Sequence, residues 1–206
     1  MKKVLAIVAF VAALFVAGNV QAQSTIYAGY TPETFVIGDN NVSYQGFCAG
    51  FTQNFGLAKG IGVAAGAQFR MNMRNTEDSF LGITGKVKET QAIIDVPILL
   101  NYGIAINRDL IITPFVGPMV SFGLSGKTHV TENLFNSQHD YDWYSDNGVA
   151  NRPNNRFNLY AVFGADVQFS QFNLFGGYRL GLLDLNSSDN VSLKTNGLFV
   201  GLGYTL

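Results

Sequence analysis

The side chains best suited to chemistry gather in one segment of this 206-residue chain. Both histidines, His129 and His139, and the single tryptophan, Trp143, fall within it. Its centre reads His139-Asp140-Tyr141-Asp142-Trp143-Tyr144-Ser145-Asp146-Asn147-Gly148. Asp140, Asp142 and Asp146 carry oxygens of the kind Ca²⁺ takes, but the central glycine and bidentate glutamate of a helix–loop–helix calcium loop are missing. No metal site is expected. Tyr141, Trp143 and Tyr144 suggest a different chemistry. Their amphipathic rings suit a recognition surface for sugar, lipid headgroups or protein, or a resting place at a membrane interface. Covalent catalysis needs a nucleophile and a base within hydrogen-bond reach. No serine motif accompanies the two histidines. Cys48, the only cysteine, sits in Gly46-Phe47-Cys48-Ala49-Gly50 with no histidine near it in sequence. A glycine-rich phosphate loop is absent, and Gly201-Leu202-Gly203 reads as a strand face, not as a loop opening a helix. No enzyme activity and no cofactor are expected.

The composition fits a wall better than a reaction vessel. Charged residues make up 13% of the chain, against roughly 25% in typical soluble domains. Aromatics reach 13%, with 17 Phe and 9 Tyr. Disorder is excluded by the apolar surface available for burial. Thirteen Lys and Arg against 14 Asp and Glu leave no basic excess, which excludes nucleic acid as a partner. A lone cysteine allows no internal disulfide.

Residues 1–22 read as a secretory signal peptide. Lys2 and Lys3 form its charged start, Val4 to Val16 its apolar run, and Val20-Gln21-Ala22 its cleavage site. The apolar run falls short of the ~20 residues a helical span needs. Gln23, not a cysteine, would follow the cut, so lipid attachment there is not indicated. Two of the 13 basic residues and no acids leave with this segment, so the remainder carries 11 basic and 14 acidic residues and a net charge of −3. The domain expected is 23–206.

After residue 23 no helical period persists, and alternation with period two recurs. Ile61, Val63, Ala65, Ala67, Phe69, Met71 and Met73 share one face; Gly62, Ala64, Gly66, Gln68, Arg70 and Asn72 share the other. The same pattern marks 91–102, 110–125, 156–169, 172–183 and the stretch ending at Leu206, with less regular strands near 24–31 and 42–55. That makes eight strands. Links at 56–59, 105–109 and Ser170-Gln171 are short; those at 32–41, 74–88, 126–155 and 184–195 are long and polar. In an up-and-down sheet all the short links fall at one end, the asymmetry of transmembrane barrels.

The apolar faces hold roughly forty residues, many of them Phe, Leu, Ile or Val. The interior of an eight-stranded barrel has room for one filling of side chains. The apolar set therefore faces out, where lipid tolerates it, and the glycines, alanines and small polar residues face in. The predicted fold is all-β: an eight-stranded antiparallel up-and-down transmembrane β-barrel. Pro97, Pro114 and Pro118 lack the ladder donor and predict bulges or strand ends. A soluble periplasmic lipocalin-like barrel would reverse the two faces and leave its glycines to cover the outside.

The segments IIDVPILLNYGI (93–104), ITPFVGPMVSFGL (112–124), FGADVQF (163–169) and FGGYRLGLLDL (175–185) resemble the small outer-membrane β-barrel proteins of Bacteroidota. These are the porin-family or PorT-like proteins, similar in plan to the OmpA-type barrel. The resemblance spans nearly all of the chain after the signal segment. It implies an integral outer-membrane barrel with both termini in the periplasm and no shared enzymatic activity. Many such barrels end on an aromatic residue; here Leu206 is last, with Tyr204 two before it.

By parity Arg70, Asp95, Asp166 and Arg179 all point into the lumen. Arg70 and Asp95 lie on neighbouring strands at similar heights; Asp166 and Arg179 are neighbours offset in height. Isolated buried charges are very costly, so the four are expected to join a neutral hydrogen-bonded network that plugs the lumen. Gln68, Gln91, Asn101, Asn158, Gln168 and Asn173 supply further donors and acceptors. The expected role is structural or surface-interactive; a narrow diffusion channel is the alternative. The expected partners are outer-membrane lipid, the barrel-assembly machinery during biogenesis and a surface or envelope protein, with the barrel itself monomeric.

Overall fold

A computed structural model describes residues 22–80, 83–132, 137–145, 155–186 and 192–206. Residues 1–21, where a signal peptide is expected, lie outside them, as do Asp146 and the rest of 146–154. The described residues form eleven strands: β1 (Ala22–Tyr30), β2 (Glu33–Ile37), β3 (Asn40–Ala58), β4 (Ile61–Phe80), β5 (Ile83–Tyr102), β6 (Ile104–Ala105), β7 (Leu110–Glu132), β8 (Ser137–Asp142), β9 (Phe157–Phe169), β10 (Phe172–Gly181) and β11 (Leu193–Thr205). All pairings are antiparallel. The order β1-β11-β10-β9-β7-β5-β4-β3 closes on itself, because β1 pairs with β11 through Thr25↔Thr205 and with β3 through Ala22↔Phe55. This is an eight-staved barrel. Closure leaves no edge among the staves and gives backbone donors partners where lipid offers none.

Eleven segments make eight staves for simple reasons. Thr31-Pro32 interrupts the first stave, so β1 and β2 pair in turn with the same neighbours, β3 and β11. β6 is a short return beside β7. β8 lies outside the ring and pairs with the far end of β7, from Lys127↔Asp142 to Glu132↔Ser137. The links expected at 32–41 and 74–88 are largely strand. β4 and β5 stay paired from Arg74↔Glu89 to Phe80↔Ile83, and Lys86 Nζ meets Glu77 Oε1 at 2.8 Å across them. Such rungs carry polar residues on both faces, so the apolar alternation that marks a lipid-crossing strand stops before the ladder does.

The tight turns lie at one end. Lys59 and Gly60 both have positive φ, 51° and 84°, as a two-residue hairpin of the primed type requires. The Asn107 side chain closes another turn by accepting from the amides of Asp109 (2.9 Å) and Leu110 (2.8 Å). Ser170-Gln171 makes the third, with Ser170 at φ 55°. Both ends of the described chain also lie here. We call this the turn end and the opposite one the crown.

The large apolar residues face outward. Ile26, Phe47, Phe69, Ile94, Val116, Phe163, Leu174, Leu198, Val200 and Leu202 are all exposed, Leu202 to 68%. Only lipid makes such a surface stable, so the lipocalin-like reading, with this face inside, does not hold. The inner face is bulkier than small residues alone would make it. Phe115, Phe175 and Phe199 point inward, each over a backbone without Cβ: an added carbon at Gly164, Gly201 or Gly177 would come within 2.8, 2.4 or 2.6 Å of the respective ring. Glycine on one stave makes room for an aromatic on the next.

The prolines do not sit at bulges. Pro114 pairs with Ala165 and Pro118 with Ala161 in an unbroken β7–β9 register. Their missing donors fall on the other side of the strand. There the β5–β7 pairing lapses between Pro97↔Met119 and Leu100↔Val116, and between β5 and β6. The bulge of this ladder lies higher, where Ala92 pairs with Ser125 but Ile93 with Gly123. Leu124 and Ser125 both face outward, and below and above them Gly123 and Gly126 both face inward.

Candidate functional site

The lumen is where the fold concentrates polar chemistry. Its centre is an ion cluster drawn from four staves. Thr31 and Glu33 continue the inward parity of Thr25 and Tyr27 past Pro32. Arg70 comes from β4, Asp95 from β5 and Arg179 from β10. Arg70 and Asp95 are 0% exposed, Glu33 and Arg179 1%. Arg70 donates to Asp95 through Nε (2.8 Å) and Nη2 (3.1 Å), and through Nη1 to Glu33. Asp95 also accepts from Gln68 Nε2 (2.7 Å) and the Ser121 hydroxyl. Glu33 also accepts from Asn72 Nδ2 and from the Tyr160 hydroxyl (2.7 Å). The Tyr160 proton is thereby committed, so in the 2.8 Å contact between the two hydroxyls Thr195 donates, and Thr195 in turn accepts from Asn158 Nδ2 (3.0 Å). Two cations meet two anions. Several kcal/mol of desolvation per ion is offset only because nearly every lone pair and proton here has a partner.

Besides Thr31 Oγ1 and Asn72 Oδ1, the exception is Arg179. Its Nη2 donates to the Thr31 carbonyl at 3.1 Å, while Nε stands 3.9 Å from Glu33, beyond hydrogen-bond reach. Arg179 and Asp166, expected as partners, are apart. Asp166 is opposite Phe175, and Arg179 lies four residues further along β10, opposite Val162. At ~3.4 Å per residue that offset is about 14 Å. Asp166 instead accepts from Asn173 Nδ2 at 2.8 Å, near the turn end.

Glu33 is the residue that sequence reading misses. It falls in what looks like a polar link, behind a proline. Its signal is parity carried across Pro32, together with an unbalanced count of two arginines and one nearby acid.

The crown closes over the cluster with aromatic residues. Phe35, Tyr44 and Trp143 pack as a buried set, with ring centroids 4.6 to 6.3 Å apart. Trp143 is 1% exposed and its indole N–H donates to Thr128 Oγ1 at 2.7 Å. The surface set expected from Tyr141, Trp143 and Tyr144 therefore does not form. After β8 the chain turns inward, Trp143 N–H donates to the Gly126 carbonyl at 2.9 Å, and the indole lies where a Gly126 Cβ would be. Tyr144 lies half-buried against Gly123, accepts from Gln91 Nε2 at 2.9 Å and holds the Arg156 guanidinium 4.3 Å from its ring centre. Only Tyr141 of the three stays outside, 38% exposed. Beneath this lid Glu89 accepts from the Tyr44 hydroxyl at 2.7 Å and from Arg74 at 3.4 Å.

His129 pairs with Asp140 on the exposed side of β7 and β8. Among the described residues no group of His, Cys, Asp and Glu is placed to hold a metal ion. Cys48 is buried on the inner face, and both histidines lie away from it on the crown hairpin of β7 and β8.

A closed β-ring with an apolar outside and an ion-paired inside is the plan of an outer-membrane barrel, and a family model for the outer membrane protein beta-barrel domain matches residues 15–187. The chain belongs to that family. As a member of the outer membrane protein beta-barrel family it is placed in the outer membrane. Among solved structures, Ail, the attachment invasion locus protein of Yersinia pestis, in complex with the heparin analogue sucrose octasulfate, is 18% identical. That match covers 90% of this chain and 99% of that one, with a TM-score of 0.46. Neisserial surface protein A is 11% identical with the same coverages and a TM-score of 0.45. A major outer membrane protein of Thermus thermophilus is 13% identical, again with 90% and 99% covered and a TM-score of 0.47. No curated protein sequence matches this chain.

Proposed function

We propose that this barrel is a closed, non-conducting outer-membrane protein with a structural or surface-interaction role, of the porin-family, PorT-like type. The observation that carries the reading is the ion cluster of Glu33, Arg70, Asp95 and Arg179, which spans the lumen with all four side chains at most 1% exposed. A diffusion path would have to part these pairs and lift the Trp143 lid. The PorT-like assignment rests on the segments at 93–104, 112–124, 163–169 and 175–185.

Both termini are placed in the periplasm and the crown outside the cell. The tight turns at one end and the extended hairpins at the other support this orientation, which matches the short periplasmic turns and longer external loops of such barrels. The crown hairpins β4–β5 and β7–β8 are then the surface offered to a protein partner. A non-enzymatic role is supported by the pairing of His129 with Asp140 on an exposed strand face, remote from Cys48 in the lumen.

Planar-bilayer recording tests the reading. The wild type is expected to show no steady conductance. A stable ohmic channel would overturn it in favour of a narrow diffusion channel. Protease added to intact cells is expected to cut within 126–155. Protection there with cutting at Ser170-Gln171 would reverse the orientation.

A further inference from the structure

Below the ion cluster the lumen is not filled. A cavity of about 170 Å³ occupies its turn-end half. Phe115, Phe175 and Phe199 form its apolar wall, stacked or tilted against one another at centroid distances of 6.3 Å. Gln23 and Gln168 stand near the turn end, and Thr31 and Arg179 line the inner limit.

Three buried side-chain atoms among the described residues have no hydrogen-bond partner: Asn72 Oδ1 within the ion cluster and, at that inner limit, Thr31 Oγ1 and Arg179 Nε. The latter two residues are 1% exposed. A guanidinium N–H only donates, and a threonine hydroxyl can donate beside it, so the roof asks for an acceptor. Charge points the same way. Arg70 is engaged by both Asp95 and Glu33, whereas Arg179 has only Glu33 at 3.9 Å. A planar carboxylate suits a guanidinium edge. Asp166, held by Asn173 near the turn end, repels a negative head there and so favours the orientation that carries it to the roof. The space is close to the ~150 Å³ apolar cavity known to take benzene, which sets the body of the ligand at about one ring.

We propose that this chamber binds a small carboxylate with an apolar body, its head on Arg179 and Thr31 and its body among Phe115, Phe175 and Phe199.

The test uses the full folded chain in lipid nanodiscs, titrated with 4-fluorobenzoate and observed by fluorine NMR, with neutral 4-fluorobenzamide as the matched control. Saturable binding of the acid, at least tenfold tighter than the amide, is expected. Arg179→Gln is expected to weaken the acid at least tenfold and the amide by much less. Ala64→Leu, on the chamber wall away from the ion cluster, is expected to abolish binding of both. Heat-modifiable gel migration checks that each variant is folded; should Arg179→Gln not fold, the acid–amide comparison and Ala64→Leu decide. Equal affinity for acid and amide, binding that survives Ala64→Leu, or no saturable binding to the folded wild type would each overturn the proposal.

Discussion

The two halves of the lumen occupy the same closed sheet and obey the same alternation, yet they are filled by opposite means. Towards the crown, ions saturate one another: Arg70, Asp95 and Glu33 share a continuous set of short contacts. Towards the turn end, aromatic rings lie over glycines and leave a chamber, and its carboxylate, Asp166, has a single neutral donor in Asn173. β10 alone shows both, since its inward residues run Asn173, Phe175, Gly177 and Arg179. A barrel wall fixes which residues point in but not how they are reconciled. Charge demands partners from several staves at one height, whereas a ring needs only a glycine next door.

The largest effect should come from splitting the ion cluster. Arg70→Ala leaves Glu33 and Asp95 buried without their main cation and is expected to cost about 3–5 kcal/mol. The double change Arg70→Ala/Asp95→Ala should cost less than the sum of the two singles. Asp166→Ala, which loses one hydrogen bond from the neutral Asn173 amide at a part-exposed site, should cost less, about 1–2 kcal/mol. Urea unfolding in lipid vesicles, with the folded fraction read from gel migration, measures all four proteins. Equal costs for Arg70→Ala and Asp166→Ala would erase the contrast between the halves.

The outer wall provides the reference for that contrast, because it does not change character along the barrel. Val200, outward on β11 and roughly halfway along its lipid-facing run, should cost about 2–4 kcal/mol when changed to Arg, and the same change at Tyr204 near the turn end about 0–1 kcal/mol. The same unfolding assay applies. A flat response along β11 would mean that the exposed apolar band does not sit in lipid as its residues indicate.

The smallest effect is spectroscopic. Trp143 is the only tryptophan, so the fluorescence of the whole chain reports the lid. A Cβ at Gly126 would lie 2.8 Å from the indole. Gly126→Ala should therefore shift the emission to the red and raise acrylamide quenching, with little change in overall stability. An unchanged spectrum would mean the lid is looser than its packing implies.

The residues that face lipid were legible in the sequence, because lipid imposes an unbroken apolar alternation that soluble loops seldom imitate. Phe69, Ile94 and Leu202 declared their side of the wall by spacing alone. Arg70 and Asp95 were legible as neighbours for the same reason, since parity and height suffice when two staves are adjacent. Glu33 was not, because it reaches Arg70 across a break at Pro32 that reads as a loop. Trp143 was not, because its place depends on a hairpin folding back over Gly126, and no local pattern records such a return. The crown strands were hidden by their own solvation: in water both faces can be polar, and the period of two disappears.

The outward pair Leu124 and Ser125 has a consequence of another kind. It acts as a dislocation in β7, dividing a stretch whose odd residues face inward from one whose even residues do. Gly126 and Thr128 are thereby aimed at the lid, and Lys127 and His129 at water. Without that slip a single strand could not keep Val116, Val120 and Phe122 in lipid and Thr128 beneath the indole. One residue gained or lost at this point would turn the crown of β7 inside out and leave the lipid-crossing wall in step. The crown part of the strand can thus be re-phased by the smallest change a chain allows, independently of the part that holds the protein in its membrane.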